Sequence, residues 1–159
     1  MQAKIKTREE IAQLALQAKQ AGKKLVTTNG SFDILHCAHA NLLQKAKKEG
    51  DILIVLLNSD ASIKRNKGEL RPIITEKERA LMLAALESVD YVVIFEEDDP
   101  LTLLKIIKPQ IHVKGGSFIP ERIKQEQETL SEWQGQFKNF ELEPGFSSTN
   151  IINRIIERY

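Results

Sequence analysis

Cysteine is all but missing from this chain: Cys37 is the single one among 159 residues. One thiol excludes an intrachain disulfide, and the setting expected with it is a reducing cytoplasm. An excess of charge is missing too. The formal net charge is +1, which gives no support to bulk nucleic-acid binding. No apolar run is long enough to span a bilayer, and no stretch reads as a signal peptide. Repeats and low-complexity tracts are equally absent. What remains is the composition of an ordinary globular protein, 42% hydrophobic and 28% charged. The length fits one domain, with an opening helix over about residues 8–21 and a core over about 24–159.

Strand and helix signals alternate along the chain. The box Thr7-Arg8-Glu9-Glu10 opens a helix through Ile11, Leu14 and Ala18 that Gly22 stops. A β-prone run over 24–28 ends in the turn Asn29-Gly30, and a helix over 40–49 carries Leu42, Leu43 and Ala46 at helical spacing up to Gly50. The unbroken apolar run over 51–57 has the pattern of a strand covered on both faces. A second box at Thr75 and Glu78 opens a helix through Leu86 before a strand over 91–95. Pro100 sits where a first helical turn tolerates it, and the helix through Ile107 leads to a strand over 111–113. The polar stretch 118–135 reads as a helix and loop over the site or the surface. A last strand over 137–142 and a closing helix capped by 147–149 complete the chain. Such alternation predicts an α/β fold built on a doubly wound parallel sheet.

At the first strand-to-helix junction, His36 and His39 stand three residues apart behind Gly30-Ser31-Phe32-Asp33. The first amides of a helix lack internal partners and, with the dipole, favour a phosphate. Two imidazoles on that edge can flank one phosphate, donating more strongly when protonated. Asp33 ahead of them either holds the loop or meets magnesium through water. Arg79 lies in the first turns of a helix, where a cation opposes the dipole. That cost points to a partner for its charge. Lys64, Lys67 and Arg71 are placed on a loop, and Cys37 has no part in this chemistry.

This segment resembles the signature of the nucleotidyltransferase superfamily of cytidylyltransferases and class I aminoacyl-tRNA synthetases, a glycine, an aromatic and an aspartate ahead of His-x-Gly-His. Ala38 takes the place of the motif glycine and is expected to tighten the nucleotide site. Further motifs are Asn58-Ser59-Asp60-Ala61-Ser62 with Lys64, Lys67-Gly68 and Arg71-Pro72, then Lys114-Gly115-Gly116, then Phe146 to Ile152. In this order they resemble the branch that transfers AMP from ATP to D-glycero-β-D-manno-heptose 1-phosphate, giving ADP-heptose for lipopolysaccharide. The resemblance implies a transferase free of the sugar-kinase half found in many bacteria, using Mg²⁺ with ATP, and a homodimer.

On this reading the catalytic set is His36, His39, Lys67, Lys114 and Arg79. Nucleotide is bound by Gly30, Ser31, Phe32, Asn58, Asp60 and Gly115, with Ser147, Ser148 and Thr149 as a second phosphate cradle facing the first. Asp33, Lys64, Arg71, Gly116 and Ser117 meet the acceptor, and no protein ligand to the metal is assigned. Ser117 stands where the heptose branch has aspartate, which bears on the acceptor. The alternatives are a cytidylyltransferase for glycerol 3-phosphate or ethanolamine phosphate, an FAD synthetase, and a nucleotide-binding module without catalysis.

Overall fold

The structure, a computed structural model, describes residues 1–116, 120–141 and 145–158. In chain order its main elements are β1 (Ile5–Lys6), α1 (Arg8–Gln20), β2 (Leu25–Gly30), α2 (Cys37–Lys47), β3 (Ile52–Asn58), α3 (Asp60–Lys67) and α4 (Glu76–Ala85). There follow β4 (Tyr91–Phe95), α5 (Leu101–Ile107), β5 (Ile111–Gly115), α6 (Pro120–Ser131), β6 (Gln136–Phe140) and α7 (Ser148–Ile156). The strands form one parallel sheet in the order β1-β4-β3-β2-β5-β6, so the expected α/β parallel sheet is found. From β2 the chain builds outward on one side through β3 and β4, then returns to add β5 on the other. The switch in direction lies between β2 and β5, the place where an open α/β sheet receives ligands.

Residue alternation on β3 explains the two layers. Leu53, Val55 and Leu57 enter one apolar cluster with Leu42 and Leu43 of α2 and Leu83 of α4. Ile54 and Leu56 point the other way, into a cluster with Ile11 of α1 and Leu103 and Leu104 of α5. Local signals hold at the helix ends. Thr7 and Glu10 cap α1 reciprocally. Its other end closes at Gly22 (φ 68°), with the Lys23 amide donating to Ala18 O and the Gly22 amide to Lys19 O. The Glu78 carboxylate accepts from both the amide and the hydroxyl of Thr75.

Four expectations change. Residues 60–67 form α3 where the sequence reading has a loop, because Ser59 caps that helix by accepting from Ser62 N. Lys114 and Gly115 lie within β5, which runs two residues beyond the expected end. The last strand ends at Phe140, and Leu142 lies outside the described residues. The two-residue β1, parallel to β4, has no counterpart in the sequence reading. Among the described residues no helix is long and apolar enough to cross a membrane.

Candidate functional site

A cavity of about 310 Å³ opens at the β2/β5 switch, within the size range of small-ligand sites. The end of β2 forms its first wall. Behind Gly30 the chain doubles back, so that a Cβ at Gly30 would lie 3.1 Å from the Phe32 ring. That close approach explains the glycine. Phe32 itself holds a left-handed φ of 44°, uncommon for a bulky side chain and costly outside a functional turn. Its ring meets His39 edge-on, with centroids 5.1 Å apart.

His36 is the N-cap of α2 and His39 lies in its first turn. Their i, i+3 spacing stacks the imidazoles at 3.8 Å and 22°. Among the described residues neither Nδ1 has a hydrogen-bond partner. Burial, then the neighbouring His36 and Lys67, lowers the His39 pKa to about 4, and burial lowers that of His36. Both rings are therefore neutral near pH 7, and the expected strengthening by protonation does not operate there. Each neutral ring keeps one N–H to donate.

The second wall is the end of β5 with α6. Lys114 and Gly115 line the cavity, as do Arg122 and Glu126 from α6. The Lys114 Nζ donates to Glu126 Oε1. From the third side come Asn58, Asn66 and Lys67, with Asp98, whose Oδ1 accepts from Arg65 Nε at 2.7 Å, and Asp99 beside them. Lys67 donates to Ser31 Oγ at 2.8 Å, and burial, then Arg71, lowers its pKa. Arg122 bridges from α6 to Asn66 Oδ1 at 2.8 Å. Of the residues expected to act, Gly30, Ser31, Phe32, His39, Asn58, Lys67, Lys114 and Gly115 line this one cavity. His36 joins them through its stack on His39.

Others stand elsewhere. Arg79 lies beneath the site, 1% exposed. It donates to the carbonyls of Ile74, Ser31 and Asn58, and to Asp60 Oδ1. Its dipole-opposed charge has protein partners, so it ties β2 to β3 and does not face a phosphate. Asp60, expected to bind nucleotide, is likewise engaged with Arg79 and does not line the cavity. Asp33 is 1% exposed. It accepts from Arg71 Nε at 2.6 Å and from the amides of Ile73 and Ile74, so both Asp33 and Arg71 pin the 71–74 loop and neither lines the cavity. Lys64 of α3 is exposed and does not line the cavity.

Ser147 caps α7 by accepting from Asn150 N, Ser148 Oγ makes a long 3.5 Å contact to Ile34 O, and Thr149 is exposed. None of the three lines the cavity, so the cradle expected opposite the histidines is not formed in this conformation. Gly116 is also outside the lining, and Ser117 lies outside the described residues. Ala38 is 2% exposed and absent from the cavity wall. Its methyl group packs in the interior, and the expected tightening of the nucleotide site does not follow.

Sequence reasoning missed Asn29, Asn66, Asp98, Asp99, Arg122 and Glu126 as polar cavity residues. For Asn29 its place beside Gly30 was an available signal. Arg122 and Glu126 are an i, i+4 pair inside a stretch rich in glutamate and glutamine, where nothing local marks one face as inward.

Residues 27–154 match the family model described as cytidylyltransferase-like. The protein named bifunctional protein HldE from Pelobacter propionicus is 50% identical over 156 residues, which cover 98% of this chain and 32% of that protein. Its namesake from Helicobacter pylori is 53% identical over 133 residues, covering 84% of this chain and 28% of the relative. The chain thus spans about a third of the length of these curated relatives. Among solved structures, the lipopolysaccharide core biosynthesis protein of Thermoplasma volcanium superposes with a TM-score of 0.63 at 30% identity, over 77% of this chain and 98% of that one. Pantoate-β-alanine ligase of Francisella tularensis gives 0.65 at 16% identity, over 98% of this chain and 79% of the other, a likeness of fold alone.

Proposed function

The chain belongs to the cytidylyltransferase-like family, and from that premise we propose that it transfers AMP from ATP to a sugar 1-phosphate, D-glycero-β-D-manno-heptose 1-phosphate, releasing pyrophosphate. The observation that carries the reading is the cavity shared by His39 and Lys114 at the β2/β5 switch, with imidazole donors on one wall and a lysine on the other. The names of the relatives support the acceptor: HldE for the sequences, lipopolysaccharide core biosynthesis for the solved structure.

In this reaction an oxygen of the sugar 1-phosphate attacks the α-phosphorus of ATP in line. The bond from that phosphorus to the β-bridging oxygen breaks, and its electron pair leaves with pyrophosphate. The protein's work is positioning and stabilising charge on the phosphoryl oxygens. Neutral His36 and His39 donate N–H bonds to the α-phosphate and its bridging oxygen, while Lys67 and Lys114 meet the negative charge of the leaving group. Arg79 keeps Ser31 and Asn58 in place beneath them.

Mg²⁺ bound to the phosphates belongs to the same proposal. It needs few protein ligands, and among the described residues no group of three or more His, Cys, Asp or Glu could hold a metal. Asp98 and Asp99 are the carboxylates of the cavity wall besides Glu126; one oxygen of each is engaged, by Arg65 Nε and by the Leu101 amide, and the other oxygens are what would meet its water shell. The ion would screen charge between attacking and leaving oxygens.

Pyrophosphate release with ATP and with CTP, against heptose 1-phosphate, glycerol 3-phosphate and FMN, tests the proposal. Turnover with ATP and the heptose phosphate is expected. Turnover only with CTP and a non-sugar phosphate would overturn it. Sedimentation of the same sample reads the dimer that the resemblance implies.

A further inference from the structure

Glu126 has no part in the chemistry above, yet it is the most buried acid of the cavity wall, its side chain 2% exposed. A carboxylate taken out of water is costly unless paired. Its partner is Lys114, whose Nζ donates to Oε1. The second oxygen, Oε2, faces Nε2 of His112 at 3.7 Å, and among the described residues neither atom has a hydrogen-bond partner. His112 and Lys114 are two apart on β5, so they share one sheet face and both meet α6. Across the ring, His112 Nδ1 sits 2.7 Å from Thr27 Oγ1 on β2. A hydroxyl donating there leaves the imidazole proton on Nε2, toward Glu126. Burial, then Lys114, lowers the His112 pKa to about 3, so the ring is neutral. Burial raises the Glu126 pKa against the pull of Lys114, with Asp99 and Arg122 as smaller influences of opposite sign. The chain of groups Thr27, His112, Glu126, Lys114 therefore runs from the middle of the sheet to the cavity.

We infer that Glu126, backed by His112, is a positioning residue that holds the Lys114 ammonium on the cavity wall where the nucleotide triphosphate is received. The inference rests on the transferase reading and deepens it. A lysine side chain has four rotatable bonds and, untethered, explores many rotamers. Tied to a carboxylate that is itself locked in the interior, it is aimed before the ligand arrives, which is the condition for strong electrostatic stabilisation. The tether also offsets part of the lysine's charge. Glu126 therefore weakens resting attraction for an anion while fixing the direction of the cation. The two effects have opposite signs in binding and in turnover, which a merely structural residue would not produce.

Glu126→Gln removes the charge and places an NH₂ group opposite His112. Turnover is expected to fall by about tenfold to a hundredfold, while the Kd for MgATP stays unchanged or tightens by up to about threefold. In a Lys114→Met background the same substitution should change kcat by less than about twofold, because the positioned group is gone. Glu126→Asp keeps the charge and withdraws it by one methylene; it is the second variant if the first does not fold, and the same fall in kcat is expected. An unchanged kcat in either variant, or equal fractional losses with and without Lys114, overturns the positioning role. So does an MgATP Kd that weakens in Glu126→Gln as it does in Lys114→Met. Wild-type protein that releases no pyrophosphate with any acceptor overturns the transferase reading instead, and the MgATP titrations still decide the role of Glu126.

Discussion

The two walls of the cavity are built on opposite plans. On the β2/α2 wall, two stacked imidazoles present ring nitrogens with no partner among the described residues and no carboxylate against them. On the β5/α6 wall, the lysine is already engaged by a buried glutamate. Buried polar atoms without partners are costly, and the first wall carries that cost at the Nδ1 atoms of His36 and His39. A ligand phosphate would relieve it. The second wall has two such atoms of its own, Glu126 Oε2 and His112 Nε2, but they lie behind the lysine; its cation is already paired, and a ligand must share Lys114 with Glu126. The first wall is ready to bind; the second is ready to orient.

The largest effect should come from emptying the first wall. His39→Ala is expected to lower the rate of adenylyl transfer about 100- to 1,000-fold, with a melting temperature close to wild type because His39 is only partly buried. Steady-state pyrophosphate release and a thermal melt on one preparation check both halves. Near-full activity in a folded variant would mean that the unpartnered nitrogens are not the donors, and the contrast between the walls would fail.

Beneath the ends of β2 and β3, Arg79→Met should act on stability first. The change leaves the Ile74, Ser31 and Asn58 carbonyls and Asp60 without their shared donor. The cost is about 3 kcal/mol, at the lower end for a broken buried pair because Asp60 remains partly solvated. Urea unfolding reads it. A variant of wild-type stability that has lost only its affinity for ATP would restore Arg79 to the phosphate site.

These cases show what a sequence can disclose. The strand over 91–95, the buried β3 and both capping boxes are local patterns, and each has its counterpart in the structure. The histidine pair is local too, since i, i+3 spacing alone makes the rings neighbours. Arg79 and Asp33 are different. Their partners lie up to 48 and 41 residues away, and a charge in a sequence does not tell whether a ligand or the protein's own backbone will meet it. Ser147 was legible as a cap. Its expected place opposite the histidines depended on how α7 docks, which no local signal encodes. Glu126 was invisible because only three residues of α6, Glu126, Thr129 and Leu130, are buried, and they sit in a segment whose composition is mostly polar.

The pH response separates the walls by their titrations. His39, with a pKa near 4, and His112, with one near 3, both lie below the ordinary value of 6.5. Between those values the unfolded chain binds protons that the folded chain does not, so stability is complete above about pH 6.5 and falls as pH drops toward 4 and then 3. His112→Asn should flatten the lower part of that window, checked by urea midpoints from pH 7 to 3.5. For catalysis the same logic predicts no acid limb from these histidines near pH 6.5 in kcat/KM, once the titration of the substrate phosphates, which lies at about pH 6, is accounted for. An acid limb there that does not follow the acceptor phosphate's own titration would mean that a histidine of the first wall keeps a near-ordinary pKa in the free protein and works only when neutral.

The smallest effect is expected at the residue that departs most visibly from the family motif. Ala38→Gly restores the glycine between the histidines, and a nucleotide pocket narrowed by the alanine methyl would gain affinity for ATP from its removal. The methyl group, however, is buried and outside the cavity lining. Its removal should leave ATP affinity and turnover within about twofold of wild type and lower stability by about 0.5–1 kcal/mol through the added freedom of glycine near a helix start. The smallness of the catalytic change is what distinguishes the two accounts. A tenfold gain in ATP affinity would show that the backbone at position 38 approaches the nucleotide, so that the first wall would be made by the helix start as well as by its imidazoles. No gain leaves the imidazoles as the binding elements, because substitution at 38 then alters the helix without altering the surface that a phosphate meets.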